Sequence, residues 1–456
     1  MRNFVGLIMA MGLTGAAGAQ VAPPSEVLDV HDHVAAVSAE RIESDITTLV
    51  GFGTRHTASE TESETRGIGA ARRWIHDEFE RISAECGGCL EVMYVSETIS
   101  GERRIPDPVD VVSVIAIQRG TSDPDRMVVM AGDIDSRASD VMDAEIDAPG
   151  ANDNASGVAG VLEAARVLSQ DRFAGSIMYA ALAGEEQGLF GGRIVADYAL
   201  EQGWRIKAVL NNDMIGNSAG IDGVVDNSTA RVFSEGTRAV ETPEEARLRR
   251  FTGGEVDSPS RNLARFIDRT ADQYVPNLDV MMVYRLDRFG RGGHHRPFNE
   301  AGMPGVRIME THEHYDRQHQ DIRVENGIAY GDVLEAVDFD YAAKLTALNI
   351  ATLAQLAGAP PFPAEVSISG AVQPSTTLTW ARPEGEQAAN LMGYRVYWRL
   401  TDAPQWTHSR YVGDVTEFTL ENVVIDNYYF GVSSVAPDGS ESPVVFPGPA
   451  GSFGGY

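Results

Sequence analysis

Three successive apolar runs in this 456-residue chain each end in acid. Ala148-Pro-Gly-Ala-Asn-Asp-Asn-Ala-Ser-Gly157 carries Asp153, Ala183-Gly-Glu-Glu-Gln-Gly188 carries Glu185 and Glu186, and Asn211-Asn-Asp-Met-Ile-Gly216 carries Asp213. One acid after a strand is ordinary. Four gathered at the same edge of one sheet repel each other unless cations or protons neutralise them. The pattern therefore points to a metal site with one carboxylate left over for proton transfer.

The runs themselves set the fold class. Met127-Val-Val-Met-Ala131, Ser176-Ile-Met-Tyr-Ala-Ala-Leu182 and Ala208-Val-Leu210 are short, apolar and bounded by polar residues or Gly, as buried strands are. Between them, Ser156 to Leu168 repeats its apolar residues at helical spacing, and Gly188 to Leu200 reads as a second helix. Arg66 to Ile82 presents Ile68, Ala71, Ile75, Phe79 and Ile82 on one face of a further helix. Alternating strands and helices predict an α/β domain with a mixed, mainly parallel sheet flanked by helices. Right-handed crossovers then place the strand C-termini, and the four acids, on one edge.

These motifs, in this order, resemble the zinc-dependent aminopeptidase family that takes in double-zinc leucyl aminopeptidases, glutamate carboxypeptidase and glutaminyl cyclase. The resemblance spans roughly residues 40 to 355. It implies that Asp153 bridges two metals, that Glu186 holds one and Asp213 the other, and that Glu185 is the general base. That division suits the chemistry, because a metal acidifies water and a nearby free carboxylate collects the proton.

The family pattern also asks for two histidines. One belongs to the segment Glu310-Thr-His-Glu-His-Tyr-Asp-Arg-Gln-His-Gln-Asp321, where the context after Tyr315 favours His319, with His314 as the fallback and Asp321 as its orienting partner. The other is replaced. The family's His-x-Asp-Ser here reads Asp133-Ile-Asp-Ser136, with Asp133 twenty residues before Asp153. A converse departure appears at Gly293-His-His-Arg-Pro-Phe298, where His294 stands at a position the family often gives to Asp. Two readings follow: a site that has decayed, or a compensated exchange in which His294 returns the lost nitrogen. If Asp133 ligates, Asp133, Asp153 and Asp213 form an all-oxygen site suited to Mn²⁺ or Mg²⁺. Asp153, Glu186 and His319 form a zinc site with an open position. The expected cofactor is thus one or two zinc ions, with Mn²⁺ or Mg²⁺ as the alternative at the second position.

The rest of the chain frames this domain. Residues 1–19, with Arg2 before an apolar run from Phe4 to Met11 and Ala17-Gly-Ala19 at the end, read as a signal peptide, and no run is long enough to span a bilayer. Secretion or a periplasmic location is expected. Residues 20–39 read as a lead-in, whose His31 and His33 are expected to be solvated, and 40–357 as the catalytic domain. Cys86 and Cys89 are the only cysteines and favour a local disulfide in an exported chain. After the Pro-rich boundary near Pro360, residues 362–456 alternate as short strands around Trp380, Tyr394 and Tyr428. They resemble a fibronectin type III domain, an all-β sandwich. Every candidate ligand precedes residue 320, so a chain ending near Pro360 is expected to fold and act alone. The net charge of −29 argues against nucleic acid as a partner, and no insertion into a membrane is expected.

The sequence thus predicts an exported metallo-aminopeptidase acting on peptides or small proteins. The alternatives are a single-zinc acyl transferase like glutaminyl cyclase, and a catalytically silent binding protein. The role of Gly53-Thr-Arg-His-Thr57, which precedes the first long helix, is left open between structure and substrate.

Overall fold

The computed structural model describes residues 22–453, so the expected signal peptide lies outside the described residues. Eight strands form the central sheet: β1 (Leu90–Ile99), β2 (Val109–Gln118), β3 (Asp123–Asp133), β4 (Gly175–Leu182), β5 (Arg205–Asn212), β6 (Thr229–Phe233), β7 (Asp279–Val283) and β8 (Gly305–Glu310). Their order is β1-β2-β4-β3-β5-β8-β6-β7. The four central strands, β4, β3, β5 and β8, are mutually parallel. β2 joins β4 and β6 joins β8 in antiparallel fashion, so the sheet is mixed, as expected.

The central strands lack polar alternation because both faces are covered. In β3, Val128 and Met130 pack with Val158 and Leu162 of the helix Gly157–Leu168 and with Leu348 of Phe339–Gly358. The intervening Met127, Val129 and Ala131 pack on the other face with Ile194, Val195 and Ala199 of Phe190–Glu201. This period of two is the pleat itself. The helix expected at Arg66 to Ile82 runs from Gly67–Glu85 and buries Ile68, Ala71, Ile75, Phe79 and Ile82. Parallel β3, β4 and β5 end at Asp133, Leu182 and Asn212, which brings the loops carrying the acids to one edge.

Beyond the α/β layer lie two three-stranded antiparallel sheets. One holds Ala364–Ser369, Thr376–Ala381 and Glu417–Leu420; the other holds Gly393–Leu400, His408–Gly413 and Tyr428–Val435. Residues in Thr376–Ala381 alternate between buried and half-buried, and Trp380 packs on Tyr394 with ring centroids 5.2 Å apart. Both of these aromatics are core.

The sandwich is not an appendage. Val396 and Phe430 belong to the same apolar cluster as Leu356 and Ala359 of the α/β layer. Asp257, wholly buried, accepts from Arg265 at 2.9 Å and from Arg399 of the sandwich. Buried Arg126 donates to the carbonyls of Leu356 and Ala359 at 2.9 and 2.7 Å, fixing the boundary segment onto β3. The expectation that a chain ending near Pro360 folds alone meets a physical obstacle here, because the cut opens a shared core and strips a buried acid of one of its arginines.

Two smaller readings resolve. Cys86 and Cys89 are joined in a disulfide. His31 is exposed, but His33 is buried and bonds Asp171 at 2.7 Å, so the expectation of two solvated histidines fails for His33. Among the described residues no helix is long and apolar enough to cross a membrane.

Candidate metal centre

Asp153 sits in the turn Ala151–Ser156 that enters the helix Gly157–Leu168, and the peptide bond following it is cis. Asp332 holds this turn: its two oxygens accept from the Asn152 N–H at 2.9 Å and the Asp153 N–H at 2.6 Å. From the other side, the buried guanidinium of Arg55 donates to the carbonyls of Ile134, at 2.8 Å, and Gly150, at 2.9 Å. His56 Nε2 reaches the Val141 carbonyl at 2.8 Å and the Gln187 amide at 3.0 Å. The Gly53 to Thr57 segment is therefore scaffolding beneath the acid loops.

Glu185 and Glu186 open the short helix Glu185–Gly188. Their N–H groups donate to the two oxygens of Asp135, at 3.1 and 3.0 Å. One carboxylate thus fixes the backbone of both glutamates.

His319 arrives from a loop with a left-handed backbone, φ 54°. Its Nε2 lies 2.9 Å from Asp153 Oδ2 and 2.9 Å from Glu186 Oε1. Donor atoms of Asp153, Glu186 and His319 all fall within 4.8 Å of one another, and no other His, Cys, Asp or Glu trio among the described residues does so. Two oxygens and one imidazole nitrogen fit a zinc ion with an open position. Burial opposes charge on the His319 imidazole, but Glu186 and Asp153 outweigh it and raise its pKa to about 10. Burial also opposes charge on Asp153, yet His319, Arg288 and Arg291 hold its carboxyl below the usual range.

Glu185 is adjacent to this trio but not part of it. Burial, reinforced by Glu186, Asp213 and Asp133, pushes its carboxyl well above the ordinary value. A carboxyl poised in that way suits proton transfer.

The remaining sequence candidates take different partners. Asp133, the last residue of β3, shares a 2.6 Å hydrogen bond with His294 Nδ1 and accepts from the Asn154 amide at 2.7 Å. The expected proximity of Asp133 and His294 is thus present. Burial drives the two pKa values apart, Asp133 well upward, helped by Asp213 and Asp135, and His294 down to about 4. Asp213 lies 2.8 Å from the buried guanidinium of Arg307. His314 lines a small neighbouring cavity with Asn152, Asp153 and Asp332, outside the ligand trio. Asp321 does not orient His319; it accepts from the Ser139 N–H at 3.0 Å and its own N–H donates back to the Ser139 hydroxyl, tying two loops together.

Three residues escaped the sequence reading. Asp135 lies inside the quoted Asp133-Ile-Asp-Ser136 motif, so its signal was in view. Arg307 stands in the apolar run Gly305-Val-Arg-Ile-Met-Glu310, and an arginine inside a buried strand asks for an acid to pair with. Asp332 has no local signal.

In front of the trio opens a cleft of about 550 Å³. Glu185, Glu186, His319 and Leu189 line it, together with Arg104, Arg137, Arg291 and Arg296. Arg104 reaches the Glu186 carbonyl, and Arg137 comes within 3.8 Å of its carboxylate.

The model of peptidase family M28 matches residues 113–336. A probable zinc metalloprotease of Leptosphaeria maculans is 44% identical over 427 residues, covering 93% of this chain and 98% of that protein. Another from Pyricularia oryzae is 44% identical over 92% of this chain and 84% of its own length. Among solved structures, the LapA aminopeptidase of Legionella pneumophila superposes with a TM-score of 0.53 at 20% identity, over 77% of this chain and 78% of that one. At that identity the likeness speaks for the fold.

Proposed function

The chain belongs to peptidase family M28, a metal-dependent hydrolase of peptide bonds, and on that premise we propose that it is an exported aminopeptidase with Glu185 as general base. The observation that carries the reading is the placement of Glu185 beside, but outside, the Asp153–Glu186–His319 trio. Asp153, Glu186 and His319 would hold a zinc ion, which when bound would supply Lewis acidity toward the scissile carbonyl and toward water. Glu185 takes the proton from the attacking water and passes it to the leaving amine. Asp135, by fixing the backbone of both glutamates, keeps base and ligand at constant separation.

Export rests on the amino-terminal pattern ending at Ala19, and the Cys86–Cys89 disulfide suits an oxidising compartment. The sandwich strands, with Trp380 against Tyr394, support a fibronectin type III-like module.

The test is a time course on peptides with free and acetylated amino termini, followed by mass spectrometry. Sequential loss of amino-terminal residues from the free peptides alone is expected. Internal cleavage, or cleavage from the carboxyl end, would remove the aminopeptidase assignment. Pyroglutamyl product from glutaminyl peptides would point to acyl transfer instead.

A specific observation refines the substrate class. Four arginines line a cleft in a protein of net charge −29, and guanidinium forks match carboxylates. The cleft favours peptides that carry a carboxylate close to the scissile bond, from an acidic side chain or a short peptide's own terminus. Comparing glutamyl, leucyl and lysyl arylamides separates the first source, and dipeptides against their amides the second.

A further inference from the structure

The acid edge of the sheet holds more carboxyl groups than one zinc site explains. Asp133, Asp135, Asp153, Glu185, Glu186 and Asp213 crowd one region, and Asp133, Asp135 and Asp213 are all at most 3% exposed. The resemblance described above would settle this with a second metal on Asp133, Asp153 and Asp213. Their oxygens do not meet that requirement, because the trio gathered within 4.8 Å is the other one.

We propose that the guanidinium of Arg307 is the second cation of this centre, built into the fold, and that the site accepts one metal ion only. The inference rests on the metallopeptidase reading of the Asp153–Glu186–His319 trio.

Arg307 rises from the middle of β8, next to β5, and is wholly buried. Its Nη2 lies 2.8 Å from Asp213 Oδ2. Its Nη1 sits 3.3 Å from both oxygens of Asp287 and donates to the Gly292 carbonyl at 3.0 Å. The guanidinium is held from two sides, so it cannot swing away to make room for an ion. Arg288 adds a second positive charge 4.0 Å from Asp213.

The opposite wall of the second position is also committed. One oxygen of Asp133 is engaged by His294 at 2.6 Å and the other by Asn154 at 2.7 Å. A metal ion there would compete with both contacts for the Asp133 oxygens and would also have to take Asp213 from Arg307. That last step takes from a buried guanidinium that does not deprotonate the nearer of its two acids, leaving it Asp287 at 3.3 Å, and brings a second cation beside it. Asp133 and Arg307 then form one device: the first gives up an imidazole ligand, and the second supplies the charge the ion would have brought. Arg307 acts as a positioning residue, holding Asp213 beside the reacting centre without touching substrate.

The experiment counts metal in the purified full chain. Protein stripped with chelator and titrated with Zn²⁺ by calorimetry, then dialysed and assayed by plasma mass spectrometry, should hold one equivalent. Two equivalents would overturn the inference and leave the peptidase reading intact. None would remove the peptidase reading and the inference with it. Arg307→Lys keeps the charge and should still hold one equivalent. The pair Arg307→Met with Asp133→His opens the second position and returns its nitrogen. It should take up a second equivalent and gain more melting temperature from zinc than the wild type does. A folded double variant that still holds a single ion overturns the role assigned to Arg307; if it does not fold, the wild-type and Arg307→Lys counts decide.

Discussion

Arg399 of the sandwich reaches across to Asp257 of the catalytic layer and donates to both of its carboxylate oxygens, at 2.8 and 2.9 Å, with neither side chain exposed by more than 1%. The two parts of the chain therefore share a buried ion pair as well as a core. Removing one partner of such a pair costs about 3–5 kcal/mol, since the other is left charged and dry. Because Asp257 keeps Arg265 at 2.9 Å, Arg399→Ala is expected to lower unfolding free energy by the lower end of that range in urea titration. A chain ending near Pro360 should be worse, failing to accumulate as folded protein. If that shortened chain melts within a few degrees of the full one, the coupling is not what holds the catalytic layer together.

Replacing Glu185 by Gln keeps size and hydrogen bonding but removes the proton acceptor. Zinc binding and melting temperature should stay near wild type, while kcat falls about 10²- to 10⁴-fold. Near-normal turnover by the zinc-loaded variant would take Glu185 out of the mechanism.

Asp135 accepts from the N–H groups of Glu185 and Glu186 with one oxygen each. In Asp135→Asn one of those oxygens becomes an NH₂ facing an N–H. A partner standing behind a metal ligand is worth about 10–100-fold in affinity or activity. Both zinc affinity and kcat should drop by that order, with KM little changed. A loss confined to KM would place Asp135 in substrate binding.

The His319 imidazole has its pKa raised to about 10 by Glu186 and Asp153, against the effect of burial. The sign follows directly. Below that value the metal-free imidazole carries a proton, and an incoming ion must displace it. Zinc affinity should therefore rise about tenfold per pH unit across the neutral range and level off above pH 10, with one proton released per ion. Calorimetry in buffers of different ionisation enthalpy measures that proton. His319→Gln should flatten the dependence; an unchanged slope in that variant would assign the proton elsewhere.

What could be read from residues alone was whatever a short stretch of chain carries. Glu185, Glu186 and Asp213 announce themselves because each closely follows an apolar run that must be a strand, and parallel strands align their ends; Asp153 does so because it lies in the loop that leads into a helix. His319 was chosen over His314 from its neighbours, and it is His319 that meets Asp153 and Glu186. The partnerships that decide charge were hidden. Asp213, one residue past β5, and Arg307 of the adjoining β8 stand 94 residues apart, Asp332 meets Asp153 across 179 residues, and Arg399 meets Asp257 across 142. Nothing local records which distant strand lies beside which. Helical periodicity placed the helices Gly67–Glu85, Gly157–Leu168 and Phe190–Glu201, whereas Pro259–Tyr274 went unread and the switch from parallel to antiparallel at β6 depends on packing that no periodicity encodes.

The arginine-lined cleft has a consequence for how fast substrate arrives. An anionic peptide approaching a protein of net charge −29 is first repelled, and only within the cleft does it meet Arg104, Arg137, Arg291 and Arg296. Dissolved salt acts unequally on these two stages. It screens the outer repulsion, which operates beyond a Debye length of about 10 Å at 0.1 M, more than it weakens a guanidinium fork at contact. For acidic peptides the capture rate should therefore climb with ionic strength, the reverse of ordinary electrostatic steering, and the protein would work such substrates better in brine than in dilute buffer.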